Sequence, residues 1–441
     1  MRYVLPVLAG RLARALTRLR GGGSAFPGWI VNRLAPSFME SLGAALPHGI
    51  VFVLGSNGKS TTTHYLASIL RAHGLRVFTN PSGSNLPQGV TSAMLPDVDW
   101  RGRLKADVAV LEIDEAYAVD LARRLRPAVV LALNVQVDQL YRFYETELMA
   151  DMQLDALALA GRAAVVNADD EYLVTLPSRM APASRSARSG TGESKGPAIS
   201  FFGVAEGVLA TARNGLANAA NFRDGRLPRP ALDAEVLAAA GGTAALRVGG
   251  ARIELTLPAR GLHYAVDAAA AALTAREVVG ERFSPEAVAA AFAAMKPAYG
   301  RGELLDFVTD HGTEQVEVTM YKNGPSLQLN LDALDEPPEQ LLMAIDEGTP
   351  DMSWIYDVDF SAIDHVDVVS GEKGWQIALA LGYRGIPVGV VEPDLRKALG
   401  IMRRMPAPSR GRKRWFVNYE LMFEARRLVG RGDLEVAREA S

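Results

Sequence analysis

The amino-acid sequence predicts an α/β protein, in which a P-loop domain with a mainly parallel sheet is followed by a smaller α/β C-terminal domain. Short apolar runs alternate with helical segments from residue 49 onwards, as in parallel sheets with helices on both faces. The first of these runs leads into a glycine-rich segment, Gly55–Thr61. A similar alternation resumes after residue 300, and 441 residues are enough for two or three domains.

The composition excludes several classes of protein. Hydrophobic residues make up 49% of the chain and charged residues 22%, which is ordinary for a globular protein and excludes disorder as the main feature. The net charge of -3 does not favour nucleic acid, so we expect no nucleic-acid partner. The absence of cysteine excludes disulfides, thiolate zinc sites and a cysteine nucleophile. Without a bilayer-length apolar run or a signal-peptide cleavage site, we expect a cytoplasmic protein.

Residues 1–48 predict a basic helix and a lead-in to the first domain. Apolar residues recur at helical spacing from Leu8 to Leu19, including Leu12 and Leu16, and Gly21–Gly23 end this pattern. Two interpretations stay open. The helix packs on its own domain with its arginines in water, or it rests against anionic lipid at the inner face of the membrane. Six arginines precede the first acidic residue, Glu40, and they are Arg2, Arg11, Arg14, Arg18, Arg20 and Arg33.

Residues 49–299 form the predicted central domain. A helix is expected over Thr61–His73, a surface loop over Ala181–Ala198 and a long alanine-rich helix over Leu262–Val279. Gly249-Gly250 predicts a two-residue hairpin turn between Leu246–Val248 and Ala251–Leu257. The predicted parallel strands are Ile50–Leu54, Leu75–Thr79, Val108–Ile113, Ala128–Val135 and Ala163–Asn167.

Residues 300–441 form the predicted C-terminal domain. Its expected strands are Gln315–Tyr321, Val366–Ser370 and Val388–Val391, and its expected helices are Leu331–Ile345 and Trp375–Leu381. A basic stretch follows, for which a solvated loop and a membrane-facing surface are both considered. It contains Arg403, Arg404, Arg410, Arg412, Lys413 and Arg414.

The segment Gly55-Ser56-Asn57-Gly58-Lys59-Ser60-Thr61 has the sequence and the setting of a phosphate-binding loop. It lies between a predicted strand and a predicted helix, as such a loop requires. Its glycines allow backbone N–H groups to converge on phosphate oxygens, and the helix N-terminus adds partial positive charge. Lys59 is expected to reach the terminal phosphates and Ser60 to ligate Mg²⁺. The sequence therefore predicts nucleotide binding.

Two acidic segments follow predicted strands, at the edge where open α/β sheets bind ligands. Glu112, in Glu112-Ile113-Asp114-Glu115, is the expected second Mg²⁺ ligand, and the alternative is a solvated strand end. Asn167 and Asp169, in Asn167-Ala168-Asp169-Asp170, are expected to bind base or ribose. A turn with Asx hydrogen bonding explains that second segment equally well.

These segments, in this order, resemble those of the Mur ligases, ATP-dependent amide-forming enzymes of peptidoglycan synthesis. Asn134 and Asp138-Gln139-Leu140 belong to the same pattern. More narrowly, the chain resembles the MurT family of ligase subunits of lipid II isoglutaminyl synthases. That resemblance covers nearly the whole chain and is carried by residues 21–28, Gly83-Ser84-Asn85-Leu86, Gly300-Arg301-Gly302-Glu303, Lys322-Asn323 and, most specifically, Asp351–Phe360.

The resemblance implies a reaction, cofactors and partners. ATP and Mg²⁺ would activate the α-carboxyl of D-glutamate in the lipid II stem peptide, and ammonia would then form D-isoglutamine. Lys59, Mg²⁺ and Arg301 would neutralise charge, Glu112 would act in catalysis as a ligand of Mg²⁺, and Asp267 would belong to the ATP site. Ammonia would come from a GatD-like glutaminase, whose histidine Asp357 would orient, with Asp359 as the second candidate. Without the resemblance, Asp357 would be interpreted as capping a turn.

The sequence also departs from the family pattern. The family's four-cysteine zinc ribbon has no counterpart in residues 201–257, which contain no cysteine, so no zinc is expected there. Val137–Arg142 differ from the family's sequence, and Tyr264 and Asp267 stand where paired asparagines are usual. Two other functions remain open: a Mur-like ligase that adds an amino acid, and a non-catalytic ATP-binding scaffold of cell-wall synthesis.

Overall fold

The computed structural model describes residues 2–19, 25–43, 46–80, 84–99, 101–136, 146–180, 196–212, 214, 216, 228–296, 300–349 and 351–431. In these residues, the strands of the first sheet are β1 (Ile50–Leu54), β2 (Val77–Thr79), β3 (Val108–Glu112), β4 (Val129–Ala132), β5 (Ala163–Asn167), β6 (Ala198–Val204), β7 (Ala234–Ala240), β8 (Thr243–Val248) and β9 (Ala251–Thr256). Their order across the sheet is β2-β3-β1-β4-β5-β6-β7-β8-β9.

Strands β1 to β7 pair in parallel, and β7, β8 and β9 form an antiparallel meander at one edge. Every residue of β1 is buried, because this continuous apolar strand has helices on both sides of the sheet. The predicted α/β class with a mainly parallel first sheet is confirmed.

Helices cover both faces of this sheet. They are α1 (Val4–Leu19), α2 (Phe26–Leu34), α3 (Phe38–Gly43), α4 (Lys59–Ala72), α5 (Pro87–Met94), α6 (Glu115–Leu125), α7 (Thr146–Ala158), α8 (Glu206–Leu209), α9 (Leu262–Val279) and α10 (Pro285–Ala293). Helices α4, α9 and α10 share one apolar core with the sheet, and α1 to α3 and α5 to α7 pack on the opposite face. Ala268–Ala272 of α9 are all buried, since small side chains let the helix approach its neighbours closely.

A second sheet follows, with strands β10 (Arg301–Thr309), β11 (Gly312–Met320), β12 (Leu341–Ala344), β13 (Val366–Ser370), β14 (Val388–Glu392) and β15 (Lys413–Val417). Their order is β10-β11-β15-β12-β13-β14, and the pairing is parallel except between β10 and β11. Its helices are α11 (Gly324–Asp332), α12 (Gly374–Tyr383), α13 (Leu395–Arg404) and α14 (Tyr419–Leu428), with a 3₁₀ turn at Ser353–Tyr356.

The predicted helix over Leu331–Ile345 is wrong. Helix α11 ends at Asp332, and Leu341–Ala344 form the buried strand β12 between β15 and β13. Pro337 and Pro338 cannot continue a helix, because proline lacks the N–H donor and its ring clashes with the preceding turn. The apolar run after them is a central parallel strand, which has no polar face to reveal its period.

The basic stretch near the C-terminus is a solvated loop only in its middle, where Arg410 and Arg412 are exposed. Arg403 lies in the last turn of α13 and forms an ion pair with Asp310 at 2.7 Å. Lys413 is fully buried in β15 and lies 2.6 Å from Glu314. These acidic partners are distant in the sequence, so a local search for negative charge could not find them.

The N-terminal helix forms as predicted but packs through a different face. Val7, Gly10 and Ala13 are buried against the domain, whereas Leu8 and Leu12 are exposed. The helix thus packs on its own domain, as one of the two interpretations expected, but through these residues and not through its leucines. Within the described residues, no helix combines the length and the apolar character needed to cross a membrane.

The hairpin predicted at Gly249-Gly250 is present. Both glycines have positive φ, 54° and 90°, as the mirror-image turns of two-residue hairpins require. This hairpin joins β8 to β9, and the described part of residues 201–257 extends the first sheet by β7, β8 and β9. The segment in which no zinc was expected thus contributes strands to the main sheet.

Candidate nucleotide-binding and active site

The phosphate-binding loop connects β1 to α4 at the carboxyl end of the first sheet. Strand β1 lies between β3 and β4, where the order of strand connections reverses and where open α/β sheets bind ligands. Gly58 precedes α4 with φ of 84°, and a Cβ at this position would lie 2.6 Å from Asp267 Oδ1. Only glycine accommodates both the backbone conformation and this close approach.

Lys59 and Ser60 begin α4 and meet two carboxylates from the neighbouring strand connection. The buried Lys59 ammonium lies 2.6 Å from Glu115 Oε1, and it also donates to the carbonyl of Gly55. The Ser60 hydroxyl donates to Glu112 Oε2 at 2.7 Å. Register explains this proximity, because Glu112 at the end of β3 pairs with Val53 of β1.

Asn80 holds Glu112 in place through the backbone. Its side chain accepts from the Glu112 N–H at 2.9 Å and donates to the Glu112 carbonyl at 2.9 Å. It also donates to the carbonyl of Ser84, which fixes the chain after residues 81–83. The roles of Asn80 and Glu115 were not found from the sequence, because both depend on the pairing of β3 with its neighbours.

Asn57 connects the loop to both sheets. Its N–H donates to Asn134 Oδ1 at 2.9 Å, and its side-chain amide donates to Gln136 at 2.6 Å. The same amide donates to Asn323 Oδ1 at 3.2 Å. Asn323 is the N-cap of α11 and also accepts from the Ser326 N–H. The loop is thus hydrogen-bonded directly to the start of a helix in the C-terminal domain. Ser56 lies beneath it, bonded to the backbone of Gln136.

A cavity lies between the loop and the C-terminal domain. Its lining includes five predicted site residues of the first domain, together with Arg301 from β10. Leu329 and Asn330 of α11 line the opposite side. The predicted residues in this lining are Asn57, Gly58, Thr61, Asn167, Asp267 and Arg301.

Burial changes the protonation of the groups around this cavity. Burial raises the pKa of Asp267 to about 8, with Arg301 opposing the shift. Burial lowers the pKa of His263 to about 3, and the nearby Arg301 lowers it further. At neutral pH, Asp267 is therefore mainly an uncharged carboxyl that can donate a hydrogen bond, and His263 is an uncharged imidazole.

Asp169 and Asp170 follow β5, and their side chains have different surroundings. Asn167 donates to the Leu133 carbonyl at 2.8 Å and lines the cavity. Asp169 is buried beside Arg229, at 2.6 Å, and accepts from the Val204 N–H, so its carboxylate lies outside the cavity lining. Asp170 lines the cavity instead, and burial raises its pKa to about 6. Asx hydrogen bonds from the Asp169 N–H to Asn167 and from the Tyr172 N–H to Asp170 are present.

Asp357 lies at the end of the 3₁₀ turn Ser353–Tyr356 and is exposed. Asp359 is partly buried, and its N–H donates to Gln328 Oε1 of α11 at 2.7 Å. Neither carboxylate lies in a strand, because the 3₁₀ turn is followed by irregular chain. Exposed apolar side chains from this segment and α12 form what we call the turn–α12 surface, consisting of Tyr356, Trp375, Leu379 and Tyr383.

The remaining predictions concern residues 20–23, Gly83, residues 137–142 and residues 181–195 of the predicted loop, which lie outside the described residues. Among the described residues, no group of three or more His, Asp or Glu side chains could hold a metal ion. Ser60 and Glu112 are therefore the pair that could contribute to a Mg²⁺ site. This donor set fits, because Mg²⁺ commonly takes one or two protein oxygens and completes its shell with phosphates and water.

Comparison with known proteins agrees with this geometry. Residues 53–200 match the Mur ligase middle domain. The chain is 26% identical over 409 residues to a lipid II isoglutaminyl synthase (glutamine-hydrolyzing) subunit MurT from Streptococcus pneumoniae, with 88% of each chain covered. It is 29% identical over 177 residues to the MurT subunit from Staphylococcus aureus, and this match spans only 40% of the chain and 39% of that relative.

Solved structures show the same fold at low sequence identity. Folylpolyglutamate synthase from Mycobacterium tuberculosis, complexed with ADP and AMPPCP, is similar at a TM-score of 0.64 and 16% identity, covering 98% of this chain and 96% of that one. A pseudomurein peptide ligase type C from Methanothermus fervidus is similar at a TM-score of 0.63 and 14% identity, covering 89% and 80%. The chain is therefore similar to MurT subunits along most of its length, contains a segment that matches the Mur ligase middle domain, and has the fold of the Mur-type ligases.

Proposed function

We propose that the chain is the ATP-dependent ligase subunit of an amidotransferase of peptidoglycan synthesis. Its substrate is the lipid II stem peptide, in which the α-carboxyl of D-glutamate becomes the amide of D-isoglutamine. The observation that carries the proposal is the similarity to a MurT subunit along 88% of the chain. The buried contacts of Lys59 and Ser60 with carboxylates at the loop support an active ligase.

In the first half of the reaction, the substrate carboxylate attacks the γ-phosphate of ATP and ADP leaves. Lys59 and Arg301 offset the negative charge that gathers on the phosphates, and the loop's N–H groups orient them. Ser60 and Glu112 would hold Mg²⁺, which would offset the negative charge of the phosphates when bound. The uncharged carboxyl of Asp267 faces the loop without adding repulsion.

In the second half, ammonia attacks the acyl carbon, the C–N bond forms, and phosphate leaves with the C–O bond electrons. Ammonia comes from a glutaminase of the GatD type, because the chain itself has no cysteine to act as the glutaminase nucleophile. The exposed Asp357 orients the partner's histidine, and the adjacent turn–α12 surface receives the partner. The reaction takes place in the cytoplasm at the inner face of the membrane, where a lipid-linked substrate is accessible.

The test is an amidation assay on lipid II with the chain and its glutaminase co-purified, read by mass spectrometry of the stem peptide. Asp357→Asn should abolish activity with glutamine and preserve it with added ammonia, whereas Asp364→Asn, at another exposed aspartate of the same domain, should preserve both. Loss of both activities in Asp357→Asn would contradict the orienting role.

The same assay separates the competing functions. Addition of an amino acid, with no amide formed from ammonia, would indicate another Mur-like ligase. ATP turnover that persists unchanged in Lys59→Ala, or is absent from the wild type with partner and substrate present, would indicate a scaffold. We expect turnover in the wild type and its loss in Lys59→Ala, since that ammonium is the loop's side-chain cation.

A further inference from the structure

Helices α1 and α2 carry large apolar side chains that are at least half exposed. In α1, the exposed fractions are 79% for Leu5, 56% for Leu8, 63% for Leu12 and 55% for Leu16. These four residues lie on one side of the helix, because their spacings of three and four residues follow the helical period. In α2, Phe26 and Trp29 are about half exposed and stack at 6.1 Å between ring centroids. We call these six residues the N-terminal apolar surface.

The opposite sides of the two helices attach them to the domain. Gly10 of α1 lies against Val31 of α2 and against Leu95, leaving no room for a side chain. The N–H of Gly28 donates to Ser92 Oγ at 2.7 Å. Arg11 donates to the backbone carbonyls of Leu95 and Val98, at 3.0 and 2.6 Å. The helices are thus held in place without the exposed leucines, so core packing does not explain why these positions are apolar.

Charge around this surface indicates what it contacts. Residues 1–39 contain six arginines and no acidic residue. Arg2 beside α1 and Arg33 of α2 are exposed. A helix surface with exposed leucines, a tryptophan and an excess of arginines favours binding to anionic lipid. The apolar side chains enter the boundary of the acyl chains, and the arginines contact the phosphate headgroups. Tryptophan is itself favoured at the membrane–water interface.

We propose that the N-terminal apolar surface docks the protein on the surface of an anionic phospholipid bilayer. A second copy of the chain fits less well, since a symmetric contact would bring two arginine-rich, acid-free segments together. The inference goes beyond the proposed reaction, because lipid docking requires neither amidation nor a glutaminase. Its test therefore uses lipid vesicles without substrate.

The experiment is co-sedimentation of the full chain with vesicles of phosphatidylcholine, alone or mixed with an equal part of phosphatidylglycerol. The wild type should bind the anionic vesicles preferentially and lose affinity as salt is raised. A triple variant, Leu8→Ser, Leu12→Ser and Trp29→Ser, should bind at least about tenfold more weakly, because it removes apolar area that would enter the bilayer.

The control variant carries Leu159→Ser and Val308→Ser, which change exposed apolar residues elsewhere in the chain. It should bind vesicles as the wild type does, and thermal unfolding should show that both variants are folded. Wild-type protein that does not bind anionic vesicles, or a triple variant that binds as well as the wild type, would overturn the proposal. So would a wild-type dimer that the triple variant dissociates while vesicle binding is unchanged.

Discussion

At the scale of single residues, burial changes the protonation of Asp267 at neutral pH. It is buried in α9, facing the phosphate-binding loop, and burial raises its pKa to about 8. In the unfolded chain the same carboxyl titrates near its ordinary value of about 4. Between these two pH values, the folded protein retains a proton that the unfolded chain has released. Rising pH therefore lowers the free energy of unfolding through this window, and the loss is complete above about pH 8.

Asp267→Asn removes this titration while preserving shape. We expect the variant to gain about 2 kcal/mol of stability relative to the wild type near pH 8, and much less near pH 5. Denaturant unfolding at the two pH values measures the difference. Asp364→Asn, on the surface, is the control for removing an acidic group. An equal change of stability at both pH values would contradict the buried-carboxyl explanation.

Glu112 and Asn80 permit a second prediction at this scale. Glu112→Gln keeps the shape of the side chain but removes a charged oxygen ligand, so ATP turnover should fall and require more Mg²⁺. Asn80→Ala should lower turnover about tenfold to a hundredfold, the usual effect of removing a group that orients a ligand. Titration of ATPase activity with Mg²⁺ measures both. If Asn80→Ala leaves the Mg²⁺ requirement unchanged, Asn80 does not orient Glu112.

At the scale of elements, the start of α11 links the two domains. Asn323 caps this helix, because its side chain accepts from the Ser326 N–H and the Ser326 side chain accepts from the Asn323 N–H. The Asn323 side chain also accepts a hydrogen bond from the side-chain amide of Asn57. Such a cap satisfies N–H groups that the first helical turn leaves without partners. A single side chain therefore stabilises a helix in one domain and the phosphate-binding loop in the other.

Asn323→Ala should cost about 1 kcal/mol of stability and raise the KM for ATP severalfold, because it removes both the cap and the contact with the loop. Ser284→Ala is the matched control, since Ser284 caps α10 by accepting from the Ala287 N–H. It should cost similar stability and leave the KM unchanged. Equal effects of the two variants on KM would indicate that the Asn57 contact has no role in binding ATP.

At the scale of the whole molecule, the turn–α12 surface is the candidate docking site for the partner. Trp375 and Tyr383 are largely exposed beside the turn that ends at Asp357. Exposed aromatic residues in such clusters often dominate the affinity of a protein interface. This surface and the N-terminal apolar surface belong to different domains, so one molecule could contact a protein partner and a lipid surface through separate regions.

Trp375→Ser combined with Tyr383→Ser should weaken co-purification of the glutaminase by at least about tenfold, because buried aromatic anchors contribute about 2 kcal/mol or more each. Ammonia-dependent amidation should persist. Val308→Ser, which alters an exposed apolar residue of β10, should leave both unchanged. Undiminished co-purification of the double variant would exclude this surface as the docking site.

The elements that were predicted correctly are those whose structure depends on the local sequence. The helix Leu262–Val279 and the strands Ala163–Asn167 and Val366–Ser370 have the predicted bounds. Their apolar runs or helical periods extend over the whole element and end at clear turn signals. The ion pairs of the basic stretch were not predicted, because their acidic partners are distant in the sequence. The strand within Leu331–Ile345 was not predicted, because a strand in the centre of a sheet has no alternating pattern.

The sequence by itself determined the strand–loop–helix at Gly55–Thr61, the α/β class and the absence of any cysteine nucleophile in this chain. These depend on residue identity and short-range periodicity, which are visible in one dimension. Only the tertiary structure decided that Glu115 meets Lys59, 56 positions away, and that Asn323 meets Asn57, 266 positions away. Such contacts depend on strand order and domain packing, which bring together residues that no local rule relates. Packing also decided that the leucines of α1 face outward, since Gly10 and Ala13 of this helix let it approach the domain more closely than leucines would.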